Sequence, residues 1–153
     1  METDITPIPQ LDLDRYLGRW YEVARFDHRF ERGLSKATAE YTLNADGTIK
    51  VVNTAFDARH NRQRKIVGKA KTTANPGLLK VSFFWIFYSD YRVLAIGDDY
   101  DWALVGGGKS TDYLWILARK PHLEADPITA IIAEAKRRGY DTSRLVYPLP
   151  AEE

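Results

Sequence analysis

Arg92 is the residue whose type and position most directly suggest a chemical role. Tyr91 and Val93 flank it, and it opens a predicted strand that ends at Ile96. A guanidinium that faces an apolar interior can hold a carboxylate or a phosphate through paired hydrogen bonds. An arginine at the rim of such an interior would instead extend its charged end into water. The sequence leaves both interpretations of Arg92 open.

Residues for catalysis or metal binding are sparse in this chain. The motifs of serine hydrolases, zinc proteases and phosphate-binding loops are missing, and there is no cysteine. The three histidines, His28, His60 and His122, lack the spacing of metal ligands. We therefore expect no catalytic residue, no metal site and no resident cofactor.

The composition fits one domain with a sizeable apolar core or pocket. The chain has 153 residues, of which 44% are hydrophobic and 12% aromatic. A formal net charge of +1 gives no general attraction to nucleic acid. Residues 1–17 lack the apolar core of a signal peptide. No apolar run reaches the roughly 18 residues of a membrane helix.

Alternation and turn residues predict an all-β fold with eight short strands in meander order. Residues 37–43 alternate apolar and polar side chains, and a hairpin turn ending at Gly47 follows. The predicted strands cover residues 18–26, 37–43, 49–53, 65–71, 78–84, 91–96, 102–105 and 113–119. An even, closed meander leaves no exposed sheet edge and can hold one small ligand. We expect an eight-stranded antiparallel up-and-down β-barrel, or calyx, over about residues 17–119.

The last part of the chain changes to a helical period. Asp126 and Pro127 favour a helix start and Gly139 a helix end, so we predict a helix over about 126–138. Its apolar stripe consists of Ile128, Ile131, Ile132 and Ala135. We expect this stripe to pack on the outside of the barrel, against Tyr21 and Val23. A short last strand is predicted at about 145–147, within the same single domain.

Two distant stretches predict how the barrel closes. Gly18 and Trp20 open the first strand, and Arg119 follows the apolar last strand. A glycine lets the backbone pass close to its neighbours, and a guanidinium can stack on an indole while that end is closed to water. We assign Gly18, Trp20 and Arg119 to barrel closure and stability rather than to ligand binding.

Strict alternation from Trp20 and Arg119 predicts which side chains line the interior. Most are apolar and several are small, which indicates an open cup. The predicted ligand-binding residues are Ala24, Phe26, Ala37, Ala39, Tyr41, Val51, Asn53, Ile66, Gly68, Ala70, Leu79, Val81, Phe83, Arg92, Leu94, Tyr113 and Trp115. The competing interpretation is a solid core with salt-bridged polar residues, among them Glu22 paired near the floor.

These features resemble the lipocalin family. Gly18-x-Trp20 matches the first family motif and Arg119 the third, while the second is present only in part, at residues 97–99. The resemblance covers about residues 10–147, and the run from Leu17 to Leu34 is similar to bacterial lipocalins of the outer-membrane lipoprotein type. It implies binding, storage or transport of a small hydrophobic ligand without turnover, above all a fatty acid or lysophospholipid. It also implies the outer membrane or periplasm if a lipidated signal has been trimmed, and the cytoplasm if the chain is complete as written.

Two other functions stay open at this point. A pigment or haem carrier is compatible with an aromatic lining, and His28 near the mouth is a weak candidate ligand for haem. A lipid-modifying enzyme on the same barrel would need an inward base or nucleophile, for which Glu22, Tyr41 and Tyr113 are the candidates.

Two surface segments suggest partners other than the ligand. The likeness to lipocalins places the stretch from Trp85 to Tyr88 at the open end, where exposed aromatics mark a lid, a dimer contact or a membrane contact. The run from Arg59 to Lys71 contains six Lys and Arg residues and no acidic one. Such a run is either a solvated face or a surface attracted to anionic lipid. We expect a monomer or a homodimer and no nucleic-acid partner.

Overall fold

Eight antiparallel strands wind into a closed barrel, as predicted. A computed structural model describes residues 2–28, 31–83, 88–108 and 111–153. The strands are β1 (Gly18–Phe26), β2 (Leu34–Leu43), β3 (Ile49–Asp57), β4 (Arg62–Thr72), β5 (Leu78–Ser82), β6 (Ser89–Ile96), β7 (Trp102–Gly107) and β8 (Tyr113–Ala118). Each pairs with the next, and β1 pairs with both β2 and β8, which closes the sheet. The all-β barrel predicted from the sequence is confirmed.

Two helices and a ninth strand complete the fold. Helix α1 (Leu13–Tyr16) precedes β1, and helix α2 (Ala125–Arg137) follows β8. A 3-10 turn (Thr142–Arg144) leads into β9 (Leu145–Val146), which pairs with the end of β1. In the part of the chain that the structure describes, no helix has both the length and the apolar character needed to cross a membrane.

Register shifts in three strands break the strict alternation of inward and outward side chains. They lie between Glu22 and Ala24 in β1, between Ser35 and Thr38 in β2, and between Val93 and Ala95 in β6. An extra residue in one strand reverses the facing of every residue beyond it. The eight strands overlap the predicted segments, but some of the side chains that face the interior differ from those predicted.

One end of the barrel is closed by the predicted stack. The Arg119 guanidinium carbon lies 3.8 Å from the centroid of the Trp20 ring, and its Nη atoms donate to three backbone carbonyls between residues 15 and 19. The Trp20 Nε1 donates to the Tyr16 carbonyl at 2.8 Å, which ties α1 to the barrel floor. Gly18 has a φ of 103° and a Cβ there would lie 3.4 Å from Arg119 Nη1, so a glycine fits this corner best.

Helix α2 packs on the outer face of the barrel. Its Ile131 and Ala135 are buried, and Ile132 is partly buried against the same cluster. The barrel residues beneath them are Ala24, Phe26, Leu94, Leu104, Leu114 and Ile116. Val23 packs against this cluster as predicted. The interior and the outer face thus hold two separate apolar clusters, and the first one bears on function.

Candidate functional site

Within the described residues, the barrel interior holds an apolar cluster with a buried part and with partly buried apolar side chains packed around it. The buried part includes Trp20, Ile49 and Leu117. The open end carries the turns that follow β1, β3, β5 and β7. Besides side chains near the floor such as Leu17 and Ile96, the partly buried apolar side chains that pack against the cluster are Ala39, Val81, Phe83, Tyr91 and Trp115. This accessible apolar lining is the candidate ligand site.

Eight predicted lining residues lie in this interior cluster. They are Tyr41, Val51, Ala70 and Leu79, which are buried, and Ala39, Val81, Phe83 and Trp115, which are partly buried. Asn53 pairs in register with Ala39 and therefore shares its face. The inward placement of the eight is confirmed, and their role as ligand contacts stays a prediction.

The prediction that Ala24 and Phe26 line the interior is wrong. Both are buried on the outer face, in the cluster beneath α2. The register shift between Glu22 and Ala24 is the cause, because strict alternation from Trp20 no longer holds beyond it. Arg25 takes an inward place instead, opposite Trp115 on β8.

The prediction that Arg92 and Leu94 face the interior is also wrong. Leu94 is buried beneath α2, while Tyr91 and Val93 belong to the interior cluster. The register shift after Val93 keeps Ile96 inward but reverses the earlier part of β6. Arg92 Nη1 donates to the Gly108 carbonyl at 2.8 Å and Nη2 to Asp90 Oδ2 at 2.6 Å. Arg92 is therefore a tether on the outer wall and no ligand anchor.

Three further predicted lining positions lie near the open end. Ile66 is 42% exposed and adds little to the cluster. A Cβ at Gly68 would lie 2.5 Å from Phe83 Cδ1, so the Phe83 ring fills the space that the missing side chain leaves. Ala37 lies within the irregular part of β2. At Gly68 the interior thus has less open space than the sequence predicts.

Three tyrosines form a hydrogen-bonded group inside the barrel. Tyr16 from α1, Tyr41 from β2 and Tyr91 from β6 meet there, and the Tyr91 hydroxyl bonds to Tyr16 at 2.5 Å and to Tyr41 at 3.0 Å. Burial raises the pKa of Tyr41 to about 12 and those of Tyr16 and Tyr91 well above the usual range. The three phenols therefore stay neutral and act as hydrogen-bond groups. We call them the tyrosine triad.

A buried ionic cluster ties the loop after β1 to the barrel wall. Arg25 Nη1 lies 3.1 Å from Glu22 Oε2 and 3.6 Å from Glu31 Oε2. Its Nη2 donates to the carbonyls of Glu31 and Leu34 at 2.9 Å. Trp115 Nε1 donates to Glu31 Oε1 at 2.8 Å. Glu22 is paired as predicted, but its partners tie it to the loop at the mouth and not to the barrel floor. Charge-assisted hydrogen bonds hold this loop.

The two carboxyl groups of this cluster titrate as a pair. Burial and the adjacent Glu31 carboxylate raise the pKa of Glu22 well above its usual range. Burial alone would raise the pKa of Glu31, but hydrogen bonds from His28, Glu22 and Trp115 outweigh it and lower that pKa to about 2. Glu22 therefore holds its proton to a higher pH than Glu31 does, and the two carboxyl groups titrate as one coupled pair.

This pairing predicts a pH-dependent effect of Glu22→Gln. A raised folded-state pKa contributes stability below the unfolded pKa, and that contribution is lost as pH rises through the folded value. Glutamine imitates the protonated acid and does not titrate, so the variant should gain stability relative to wild type between pH 5 and pH 8. Urea unfolding midpoints at both pH values measure the difference. A constant difference would contradict the raised pKa of Glu22.

Basic side chains surround one buried carboxylate at the open rim. The Asp57 side chain is fully buried at the end of β3, with His60 Nδ1 at 2.8 Å, Arg64 Nη1 at 3.5 Å and Arg59 Nε at 3.9 Å. The hydrogen bond from His60 lowers the pKa of Asp57, so this carboxyl is ionised at neutral pH. Two guanidinium groups share one carboxylate, which leaves the rim with an excess of positive charge. We call these four residues the basic rim.

The predicted aromatic stretch from Trp85 to Tyr88 is described by the structure only at its last residue. Trp85, Ile86 and Phe87 lie outside the described residues, while Tyr88 is exposed with the Lys71 Nζ 4.2 Å from its ring centroid. Contact with a membrane and the oligomeric state stay predictions. Among the described residues, no three His, Cys, Asp or Glu side chains are grouped to hold a metal ion.

Sequence reasoning missed Arg25, Glu31 and Tyr91. Glu22 and Arg25 are opposite charges three residues apart in a strand, and strict alternation would place them on opposite faces. A bulge between Glu22 and Arg25 places both side chains in one buried cluster. Their opposite charges at this spacing are therefore the sequence signal that could have indicated the bulge. No comparable polar spacing marks the shift in β6.

A closed antiparallel barrel with an accessible apolar interior defines a class of small-ligand carriers. A family model described as "Lipocalin-like domain" matches residues 11–150, and the chain belongs to this family. Outer membrane lipoprotein Blc of Citrobacter freundii is 45% identical over 145 residues, which cover 94% of this chain and 81% of that protein. Temperature-induced lipocalin-1 of Arabidopsis thaliana is 38% identical over 147 residues, covering 88% and 77%.

A solved structure shows the same fold at low sequence identity. Lobster apocrustacyanin A1 superposes with a TM-score of 0.77 at 19% identity, over 91% of this chain and 79% of that one. The relatives together support the binding or transport of a small hydrophobic ligand, and lipocalins are generally binding proteins.

Proposed function

We propose that this protein binds a single-chain amphiphile, a fatty acid or a lysophospholipid, with the chain in the barrel and the head at the rim. The observation that carries the proposal is the set of partly accessible apolar side chains, including Ala39, Val81 and Trp115, that packs against the buried interior cluster. An acyl chain placed there is stabilised by about 0.8 kcal/mol for each buried CH₂ group. Eight strands leave room for one slender ligand.

The basic rim supports placing the head of the ligand at the open end. Arg59 and Arg64 are 55% and 43% exposed and share the single Asp57 carboxylate. They can therefore meet a carboxylate or phosphate that stays partly in water, where the desolvation cost of the anion is small. Arg92, which pairs with Asp90 on the outer wall, is excluded as the anchor.

The same contacts favour binding without turnover. Glu22 accepts a hydrogen bond from Arg25 and Tyr41 belongs to the tyrosine triad, so neither is a free base inside the barrel. His28 Nε2 lies 3.0 Å from Glu31 Oε1, which makes it a poor candidate for a haem ligand. A carrier of a hydrophobic ligand fits these residues better than an enzyme or a haem protein.

Titration with hexadecanoic acid and a single-chain lysophospholipid tests the proposal. Both should bind saturably with one site per barrel, measured by calorimetry. Ala39→Phe adds a ring to the accessible lining and should weaken binding at least tenfold, because overfilled interiors resist repacking. Ala133→Phe, on the exposed side of α2, is the matched control and should bind as wild type does. If neither lipid binds saturably to the wild-type protein, the proposed function is refuted.

A further inference from the structure

The tyrosine triad lies where a chain that enters from the open end would reach the buried part of the interior. Tyr16 and Tyr41 are 1% and 8% exposed, and Tyr91 is partly accessible. The Tyr16 ring stacks on Tyr41, and the Tyr91 ring meets both edge-on. The triad therefore places polar oxygens inside a lining that is otherwise apolar at this depth.

Counting protons shows that one donor of the triad is left over. Three hydroxyls carry three protons, and the two hydrogen bonds through Tyr91 use two of them. The third proton remains whichever way the two bonds run. These hydroxyls make no other hydrogen bond within the described part of the chain. A buried donor without an acceptor is unfavourable, so the interior is complementary to one more oxygen.

The chemistry of the triad restricts what that oxygen can be. The phenols are neutral, and the positive Arg119 lies close enough to favour the charged forms of Tyr16 and Tyr41. The field at this depth therefore favours an acceptor with partial negative charge. A single phenol donor does not offset the desolvation of an ionised carboxylate. The complementary group is a hydroxyl or a ketone.

We propose that the tyrosine triad is a subsite for a neutral oxygen on the ligand chain, so that the barrel prefers hydroxylated or keto single-chain lipids to the parent acids. The inference rests on the proposed function, because the head must stay at the basic rim for the chain to reach the triad. An unmodified chain would place methylene or methyl groups against the spare donor and leave it unpaired. A site built to hydrogen-bond an oxygen discriminates against the analogue that lacks it.

A ligand series on the wild-type protein tests the subsite directly. Calorimetry compares hexadecanoic acid with three derivatives that carry one hydroxyl group at C2, at mid-chain or at C16. We expect the mid-chain or the C16 isomer to bind roughly tenfold more tightly than the parent, and the C2 isomer to match the parent. Equal affinities for all four acids would overturn the subsite and leave the proposed function intact. Binding of none would overturn both, and preference for the C2 isomer would place the recognised oxygen at the head.

A pair of isosteric variants then assigns the preference to the triad. Tyr91→Phe removes the hydroxyl of the one triad side chain that keeps accessible surface, and the Tyr16 and Tyr41 hydroxyls that remain are buried. The affinities for the chain-hydroxylated acid and for the parent acid should therefore become equal in this variant. Tyr147→Phe, on the exposed last segment, is the matched control and should keep the wild-type preference. If Tyr91→Phe retains the full preference, the triad is not the subsite. If Tyr91→Phe fails to fold, the wild-type ligand series still decides the proposal.

Discussion

Replacing Trp20 by alanine is expected to lower the free energy of unfolding by about 3–5 kcal/mol. The side chain is fully buried at the barrel floor, with the Tyr16 ring 5.1 Å away and the Arg119 guanidinium stacked on it at 3.8 Å. Alanine would leave a cavity and expose the guanidinium contact at the same time. Because Trp20 also donates to the Tyr16 carbonyl, its loss removes the link between α1 and β1.

Denaturant unfolding of Trp20→Ala and Tyr88→Ala measures this effect against a matched control. Tyr88 is also aromatic and contacts the Lys71 ammonium, but it is 41% exposed at the open end. Its replacement should lower the free energy of unfolding by less than about 1 kcal/mol, as an exposed cation–π contact does. Similar losses in the two variants would show that the barrel floor contributes no more than the rim.

The strands and the closure of this barrel could be predicted because their signals are local. Alternation in residues 37–43, the turn that ends at Gly47 and the pairing of Trp20 with Arg119 each depend on a few residues and on simple geometry. Eight strands in meander order form a closed barrel once the first and the last strand pair, so the barrel follows from these local signals. The family resemblance rested on the same residues.

The side chains that face the barrel interior could be predicted only in part, because a bulge reverses the inward or outward direction of every side chain beyond it in the strand. Lining residues on β3, β4 and β5 follow the alternation, and the register of these strands has no shift. Ala24, Phe26, Arg92 and Leu94 lie in the strands whose facing a bulge changes. A bulge depends on how neighbouring strands match in length and twist, which the sequence of one strand does not encode. The polar side chain of β6 that faces the interior is therefore Tyr91 and not Arg92.

The buried ionic cluster at the mouth leads to the second large effect. Arg25→Met is expected to lower the free energy of unfolding by about 3–5 kcal/mol, because removal of one partner leaves buried charge uncompensated. The Arg25 side chain is only 4% exposed and contacts both Glu22 and Glu31. Methionine keeps the apolar volume of the stem, so the change reports mainly on the lost charge and hydrogen bonds.

Arg92→Met is the matched control, because it makes the same arginine-to-methionine change on the outer wall. Strict alternation had predicted that Arg92 faces the interior. Arg92 is also well covered, at 12% exposure, but its partners Asp90 and the Gly108 carbonyl lie on the outer wall, where water can replace it. Its loss should lower the free energy of unfolding by about 1 kcal/mol. Urea unfolding at pH 7 compares the two variants, and equal losses would contradict the cluster. A larger loss for Arg25→Met would show that the cation holding the mouth loop is Arg25, because its Nη2 joins the barrel wall to the Glu31 and Leu34 carbonyls.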